Sequence, residues 1–168
     1  MIAYHEVPLD TVEAVLSSGL KRSSRGAKGM DGDIIKTDMF LDDKRPKQLE
    51  GQGISRDHNI YAYLYLNNQI IDIRTGNGIP LQDFISNSNQ AVLKLEIDPQ
   101  RCYVSDLDTY DSLKKAIEDG DNNAKLEQLA KSYWDKLIPL EEYRPHDILR
   151  PEIMITYDIL PAQISRCS

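Results

Sequence analysis

Two helical patterns run one after the other late in the chain, from about Asp111 to Ile117 and from Ala124 to Leu137. The second carries Leu126, Leu129, Tyr133 and Trp134 on one side. Strand patterns lie on either side of them. AVLKLEIDP (Ala91 to Pro99) alternates apolar and polar residues, a short CYV piece follows it, and EIMITYD near the end is the strongest strand signal in the chain. Pro161 separates that strand from a short final one. A doubly wound parallel sheet needs a helix between each pair of strands, and here the helices are few and not interleaved. The pattern specifies an α+β fold.

The first helix is signalled by Asp10 as its cap, by Glu13 three residues on in capping-box spacing, and by Val12, Val15, Leu16 and Leu20 at helical intervals, with Gly19 ending it. A first strand finishing on Tyr4-His5 precedes it. From Lys21 to Glu50 the chain turns rich in glycine and charge, with Lys21, Arg22, Arg25 and Lys28 close together at the start, and reads as a long ligand-binding or lid loop. In GISRDHNIYAYL, residues Gly53 to Ser55 read as a strand end and Asp57 as a helix cap. IYAYLYL fits strand by its alternation and helix by its place after that cap; we read it as helix.

The 168 residues suit one domain, with an apolar content of 40% that gives a core of ordinary size. No window approaches the ~18 apolar residues of a membrane helix, and the start of the chain lacks the features of a signal peptide, so a cytoplasmic protein is expected. Cys102 and Cys167 have neither CxxC spacing nor a disulfide framework around them and are expected as free thiols. A net charge of −7 weighs against a general basic nucleic-acid surface, although a local basic groove is compatible with it. Asp106, Asp108 and Asp111 lack the glycine and terminal glutamate of a calcium loop and read as cap and turn residues, and no metal is expected.

Three stretches bear polar residues where a strand meets another element: Tyr4-His5, GISR and Glu152. Here the sequence resembles the ADP-ribosyltransferases of the poly(ADP-ribose) polymerase and DarT type. YHEVPLDTVEAVLSSGL resembles their strand, histidine and helix opening, GISRDHNIYAYL their second motif, and RPEIMITYDILPAQI their late glutamate-bearing strand. The three occur in the family's order and span nearly the whole chain.

The resemblance implies an ADP-ribosyltransferase-like fold over residues 1–168, with split antiparallel sheets and a few flanking helices. It implies an enzyme that moves ADP-ribose from NAD to an acceptor. On that pattern His5 hydrogen-bonds a ribose hydroxyl or the nicotinamide end of NAD, and Glu152 bonds the 2′-hydroxyl of the nicotinamide ribose and stabilises the charge growing at the anomeric carbon. Tyr61 is the favoured ring for nicotinamide, Ser55 stands in the second motif, and Arg22, Arg25 or Arg56 meets the pyrophosphate. Arg150 stands two before Glu152, where enzymes that modify protein arginine carry a second acid, so arginine is disfavoured as acceptor. Ile54-Ser55 replaces the Tyr-Phe pair of chain-elongating polymerases. Small domains of this kind resemble toxins of toxin-antitoxin or anti-phage modules, which implies a nucleic-acid base, DNA or RNA, as acceptor and an antitoxin protein as partner. The alternatives are a protein acceptor and a module that binds NAD or ADP-ribose without turnover.

Overall fold

The computed structural model describes residues 1–25 and 29–167, and Lys28 of the basic cluster lies outside the described residues. Among the described residues nine strands form one connected antiparallel sheet: β1 (Ile2–Val7), β2 (Ile60–Leu66), β3 (Gln69–Ile71), β4 (Gly78–Pro80), β5 (Ala91–Glu96), β6 (Cys102–Asp106), β7 (Ile138–Pro139), β8 (Pro151–Ile155) and β9 (Ile164–Arg166). The main order is β7-β6-β8-β2-β1-β5-β9, and β3 and β4 branch from β2. The helices are α1 (Val12–Ser18), α2 (Gly32–Asp43), α3 (Lys47–Gly51), α4 (Leu81–Asn87), α5 (Leu107–Glu118) and α6 (Asn123–Asp135). The architecture is α+β. No helix among the described residues is long and apolar enough to cross a membrane.

Alternation along the strands divides the core. Ala3 and Val7 of β1, Ile60, Ala62 and Leu64 of β2, Leu93 and Leu95 of β5, and Ile153 and Ile155 of β8 belong to one buried cluster, against which Val15 and Leu16 of α1 pack. The intervening residues face the other way and split into two groups. Met154 joins Leu41 of α2, Leu113 of α5 and Trp134 of α6, while Tyr4 and Val92 join Ile70 and Phe84 beside β3, β4 and α4. Tyr61, Tyr63, Glu6 and Glu152 lie between these two groups, where neither covers the sheet completely.

Several sequence expectations are corrected. IYAYLYL is strand β2, not helix: Ile60, Ala62 and Leu64 are buried on one face, and the tyrosines between them line the other. Its pairing with β1 on one side and β8 on the other outweighs the cap signal. Asp57 caps no helix; its carboxylate and carbonyl both accept from the Arg25 amide. Gly53 to Ser55 form no strand end but an irregular turn, entered through Gly53 at φ 74°. The stretch from Lys21 to Glu50 is not a continuous loop, because α2 and α3 occupy much of it. Asp31 caps α2 by accepting from the Asp33 amide at 2.7 Å. The buried side of α2 is Thr37, Asp38 and Leu41, so it carries no apolar stripe to read. Asp10 does not cap α1 either. It sits in a short 3-10 turn, Leu9–Thr11, after Pro8, and the helix starts at Val12 with no side-chain cap. Strand β1 continues past His5 to Val7, and β8 begins at Pro151.

The three aspartates after β6 do take structural roles. Asp106 caps α5 by accepting from the Asp108 amide at 3.0 Å, accepts from the Thr109 hydroxyl at 2.7 Å and pairs with Lys136 at 2.7 Å, while Asp108 and Asp111 both pair with Arg150. Burial pushes the Asp106 carboxyl up, but the bonds from Lys136 and Thr109 outweigh it and hold it below its ordinary value. A depressed folded value means that this stabilisation is complete above the unfolded carboxylate range and is lost as pH falls through the folded value. Asp106→Asn is therefore expected to cost about 1–2 kcal/mol at neutral pH. The gap from wild type should close in acid, which urea denaturation at a series of pH values will measure. A gap independent of pH would show that the charge contributes nothing.

Candidate functional site

A pocket of about 210 Å³ is lined by His5 and Glu6 of β1, Tyr61 and Tyr63 of β2, Ile73, Gln90 and Glu152 of β8. The sheet itself makes the opening. Strands β1 and β2 pair at Ala3 with Leu64 and at Tyr4 with Tyr63, and the register ends there. Strands β2 and β8 pair from Ile60 to Ala62, so their ladder stops one step before Glu152. His5 and Glu152 thus sit at the two places where β2 loses a neighbour, and both residues line one cavity, from opposite ends of the chain.

His5 Nδ1 bonds the Tyr61 carbonyl oxygen at 2.6 Å. A carbonyl can only accept, so Nδ1 carries the proton, and in the neutral ring Nε2 is an acceptor. The imidazole continues the β1–β2 seam beyond the point where backbone pairing ends. His5→Ala is accordingly expected to lower stability by about 1 kcal/mol with no ligand present, by leaving the Tyr61 carbonyl without its donor. Thermal denaturation of both proteins will measure this, and an unchanged melting temperature would show that the bond contributes nothing.

Glu152, 8% exposed, accepts on Oε2 from Arg56 Nη1 at 2.7 Å. Arg56 is 1% exposed. Its Nε donates to Asp38 Oδ1 at 3.2 Å, and its Nη1 also donates to the Tyr133 hydroxyl at 3.1 Å. Its guanidinium lies over the rings of Tyr61 at 4.1 Å and Tyr110 at 4.2 Å. Burial works against the Arg56 charge. The Tyr133 and Tyr61 phenols and the carboxylates of Glu152 and Asp38 outweigh that effect and hold it firmly protonated. Burial raises the Asp38 carboxyl, opposed by Arg56 and Arg25. The result is a buried cation between two carboxylates, one of them at the pocket.

Helix α2 builds this arrangement. Asp38 and Asp42 lie one turn apart, so both reach the turn at residues 55–57. Asp42 accepts from the Ser55 hydroxyl at 2.7 Å, the Arg56 amide at 2.6 Å and the Asp57 amide at 3.2 Å, while Asp38 takes the Arg56 side chain. Arg45 Nη1, from the chain just past α2, donates to the Ile54 carbonyl. The turn that delivers Arg56 to Glu152 is thus fixed from α2, which sequence reading had assigned to a loop.

The candidate residues divide into three groups. His5, Tyr61 and Glu152 share the small pocket. Arg25 stacks on the Tyr61 ring at 4.2 Å and pairs with Asp38 at 3.4 Å, so Tyr61 has guanidiniums of both Arg25 and Arg56 on its ring, and its hydroxyl donates to the Arg56 carbonyl at 2.5 Å. Arg22 and Ser55 line a separate open groove of about 550 Å³ with Arg45 and His58, and Arg22 Nη2 donates to the Gly53 carbonyl at 2.8 Å. Arg150 turns to Asp108, Asp111 and the Ile73 carbonyl.

Sequence reading missed Asp38, Tyr133, Glu6 and Gln90, and ranked Tyr63 behind Tyr61 among the rings of IYAYLYL. Glu6 follows His5 directly, and its alternation with Tyr4 was the available signal. Asp38 and Tyr133 had none, since each reaches the site by tertiary packing alone. Tyr63 donates to Glu6 Oε2 at 2.6 Å, and burial, then that bond, raises its phenol well above its usual range. Cys102 and Cys167 are free thiols, and burial pushes Cys102 up to about 12, which leaves it unreactive at neutral pH. Compared with known proteins, the chain matches no family model, no curated protein and no solved structure.

Proposed function

We propose that the chain is a mono-ADP-ribosyltransferase with an ADP-ribosyltransferase-like fold, which moves ADP-ribose from NAD to a nucleic-acid base. The observation that carries the reading is the meeting of His5 and Glu152, from the first and eighth strands, in one pocket at the split of the sheet. In this reading the nicotinamide ribose lies between them. Arg56 holds Glu152 by Oε2, which leaves Oε1 for the ribose 2′-hydroxyl. The carboxylate then faces the anomeric carbon as positive charge grows there, held in place by Arg56 before the reaction begins. His5, locked by the Tyr61 carbonyl into one tautomer, orients the other side of the nucleotide. Arg25, stacked on the Tyr61 ring, is the cation this reading assigns to the pyrophosphate, with Arg22 in the separate groove as the other candidate.

A toxin role in the cytoplasm, held in check by an antitoxin protein, follows from the same resemblance. Transfer to a protein is the second reading, favoured by the net charge of −7, which repels phosphate backbones. The test is incubation with NAD labelled in its adenosine half, with DNA, RNA and protein pools in separate tubes, while free nicotinamide is measured. Label on nucleic acid is expected. Label on protein alone would move the assignment to the second reading, and no nicotinamide release in any tube would overturn enzymatic activity.

A further inference from the structure

A second pocket of about 390 Å³ adjoins the one that holds His5 and Glu152, and Glu6, Tyr63, Ile73 and Gln90 belong to both. Its further lining includes Phe84, Asn87 and Asn89, with Arg74 at the solvent edge, its side chain 82% exposed. Glu6 stands at the junction. Its Oε2 accepts from the Tyr63 hydroxyl at 2.6 Å and its Oε1 from the Ser88 hydroxyl. Both partners are neutral, so they fix the carboxylate without cancelling its charge, and each oxygen keeps a lone pair for a donor arriving from the cleft.

The surroundings restrict that donor. Tyr63 and Phe84 pack edge to face at 4.8 Å and give an aromatic wall, while the amides of Asn87, Asn89 and Gln90 both donate and accept. A flat heterocycle with N–H groups satisfies both kinds of surface, and a carboxylate is the usual partner for an exocyclic amine on a base. Arg74 Nε is held by Asp72 Oδ1 at 3.3 Å, and its guanidinium still offers Nη groups that a nucleotide phosphate can take and a lysine or arginine side chain cannot. We propose that this second pocket holds the acceptor, a nucleobase bearing an exocyclic amino group, and that Glu6 binds that amino group and takes its proton during transfer.

The inference rests on the reading of NAD transfer given above. The amino nitrogen forms a bond to C1′ of the nicotinamide ribose as the C1′–nitrogen bond to nicotinamide breaks. Nicotinamide leaves as a neutral molecule with that electron pair. The new nitrogen substituent, cationic at first, releases one proton to Glu6, which passes it to water. Glu6 and Glu152 line the same small pocket, so one stabilises the electrophile while the other serves the nucleophile.

Guanosine, adenosine, cytidine and thymidine titrated into the full chain and into Glu6→Gln test the pocket without turnover. Labelled NAD with oligonucleotides of single base composition tests the transfer. The three amino-bearing nucleosides should compete for one site that thymidine does not enter, and Glu6→Gln should weaken it at least tenfold. In turnover, the share of released ADP-ribose that reaches the oligonucleotide instead of water should fall at least tenfold in Glu6→Gln. Nicotinamide release with no nucleoside binding, or with thymidine as good a ligand and acceptor as the others, would overturn the subsite and leave the transferase reading standing. Nucleoside binding that needs Glu6 but is accompanied by no nicotinamide release would overturn the transferase reading and leave the pocket standing as a base-binding site. Should Glu6→Gln fail to fold, Ser88→Ala, which frees Glu6 Oε1 from its hydroxyl, should shift the transfer share, and an unchanged share would count against Glu6.

Discussion

Arg56→Met is expected to be the most destabilising single substitution at the site, at about 3–5 kcal/mol, because it leaves Glu152 and Asp38 buried with their common cation removed. Methionine fills most of the volume between Tyr61 and Tyr110, so the loss reports charge more than packing. The sign with pH separates the two. Asp38 is already raised by burial and held back by Arg56 and Arg25. Removing Arg56 raises it further, so the folded variant takes up protons more readily than its unfolded chain. The deficit against wild type should therefore be largest near neutral pH and shrink as pH falls towards the carboxylate range. Urea denaturation at pH values from neutral to mildly acidic will measure it, and a deficit that does not change with pH would assign it to lost packing.

If the transferase reading holds, Glu152→Gln is expected to lower nicotinamide release at least about a hundredfold, since that reading sets its charge opposite the anomeric carbon. In the toxin reading it should also abolish growth inhibition on overexpression. Among the described residues the same change leaves Arg56 with Asp38 as its one anionic hydrogen-bond partner, although a glutamine oxygen still accepts from Nη1. A stability loss of about 1–3 kcal/mol should accompany the loss of rate. Rates must then be compared on protein shown folded by circular dichroism at the assay temperature. A folded variant that turns over at close to the wild-type rate would remove Glu152 from the chemistry.

The two residues that frame the pocket were legible as strand residues because each stands in a recognisable apolar pattern, but alternation alone puts His5 in phase with Ala3 and Val7 and Glu152 in phase with Met154, and it was the resemblance that paired them. Asp38 was not legible. Its helix buries Thr37 and Asp38 beside Leu41, so the side that meets the core looks polar, and the segment around it reads as loop. Arg56 was read as a phosphate contact, the usual work of an arginine in a nucleotide site. Only the convergence of Tyr61, Tyr110 and Tyr133 from three separate segments shows that it is a buried cation serving Glu152. IYAYLYL carried its answer in its own period, and a cap signal three residues upstream, Asp57, overrode it. The signal was real in kind, since Asp57 does accept a backbone amide, but the donor is Arg25 from a distant part of the chain.

The seam between β1 and β2 has a mechanical consequence. Two register pairs and the His5 imidazole join the half-sheet of β1, β5 and β9 to the half-sheet of β2, β8, β6 and β7, whereas β1 pairs with β5 over six positions and β8 with β6 over five. Between β5 and β6 the fewest register pairs lie on the line that crosses the pocket. Rotation of one half against the other would break fewer ladder bonds here than at the β1–β5 or β6–β8 joints, so opening of the cleft is expected to begin along this line. A guest that touches both halves would stiffen that line, and the amide of Tyr63, which points across the seam as the Tyr61 carbonyl does, is where slower hydrogen exchange would register it.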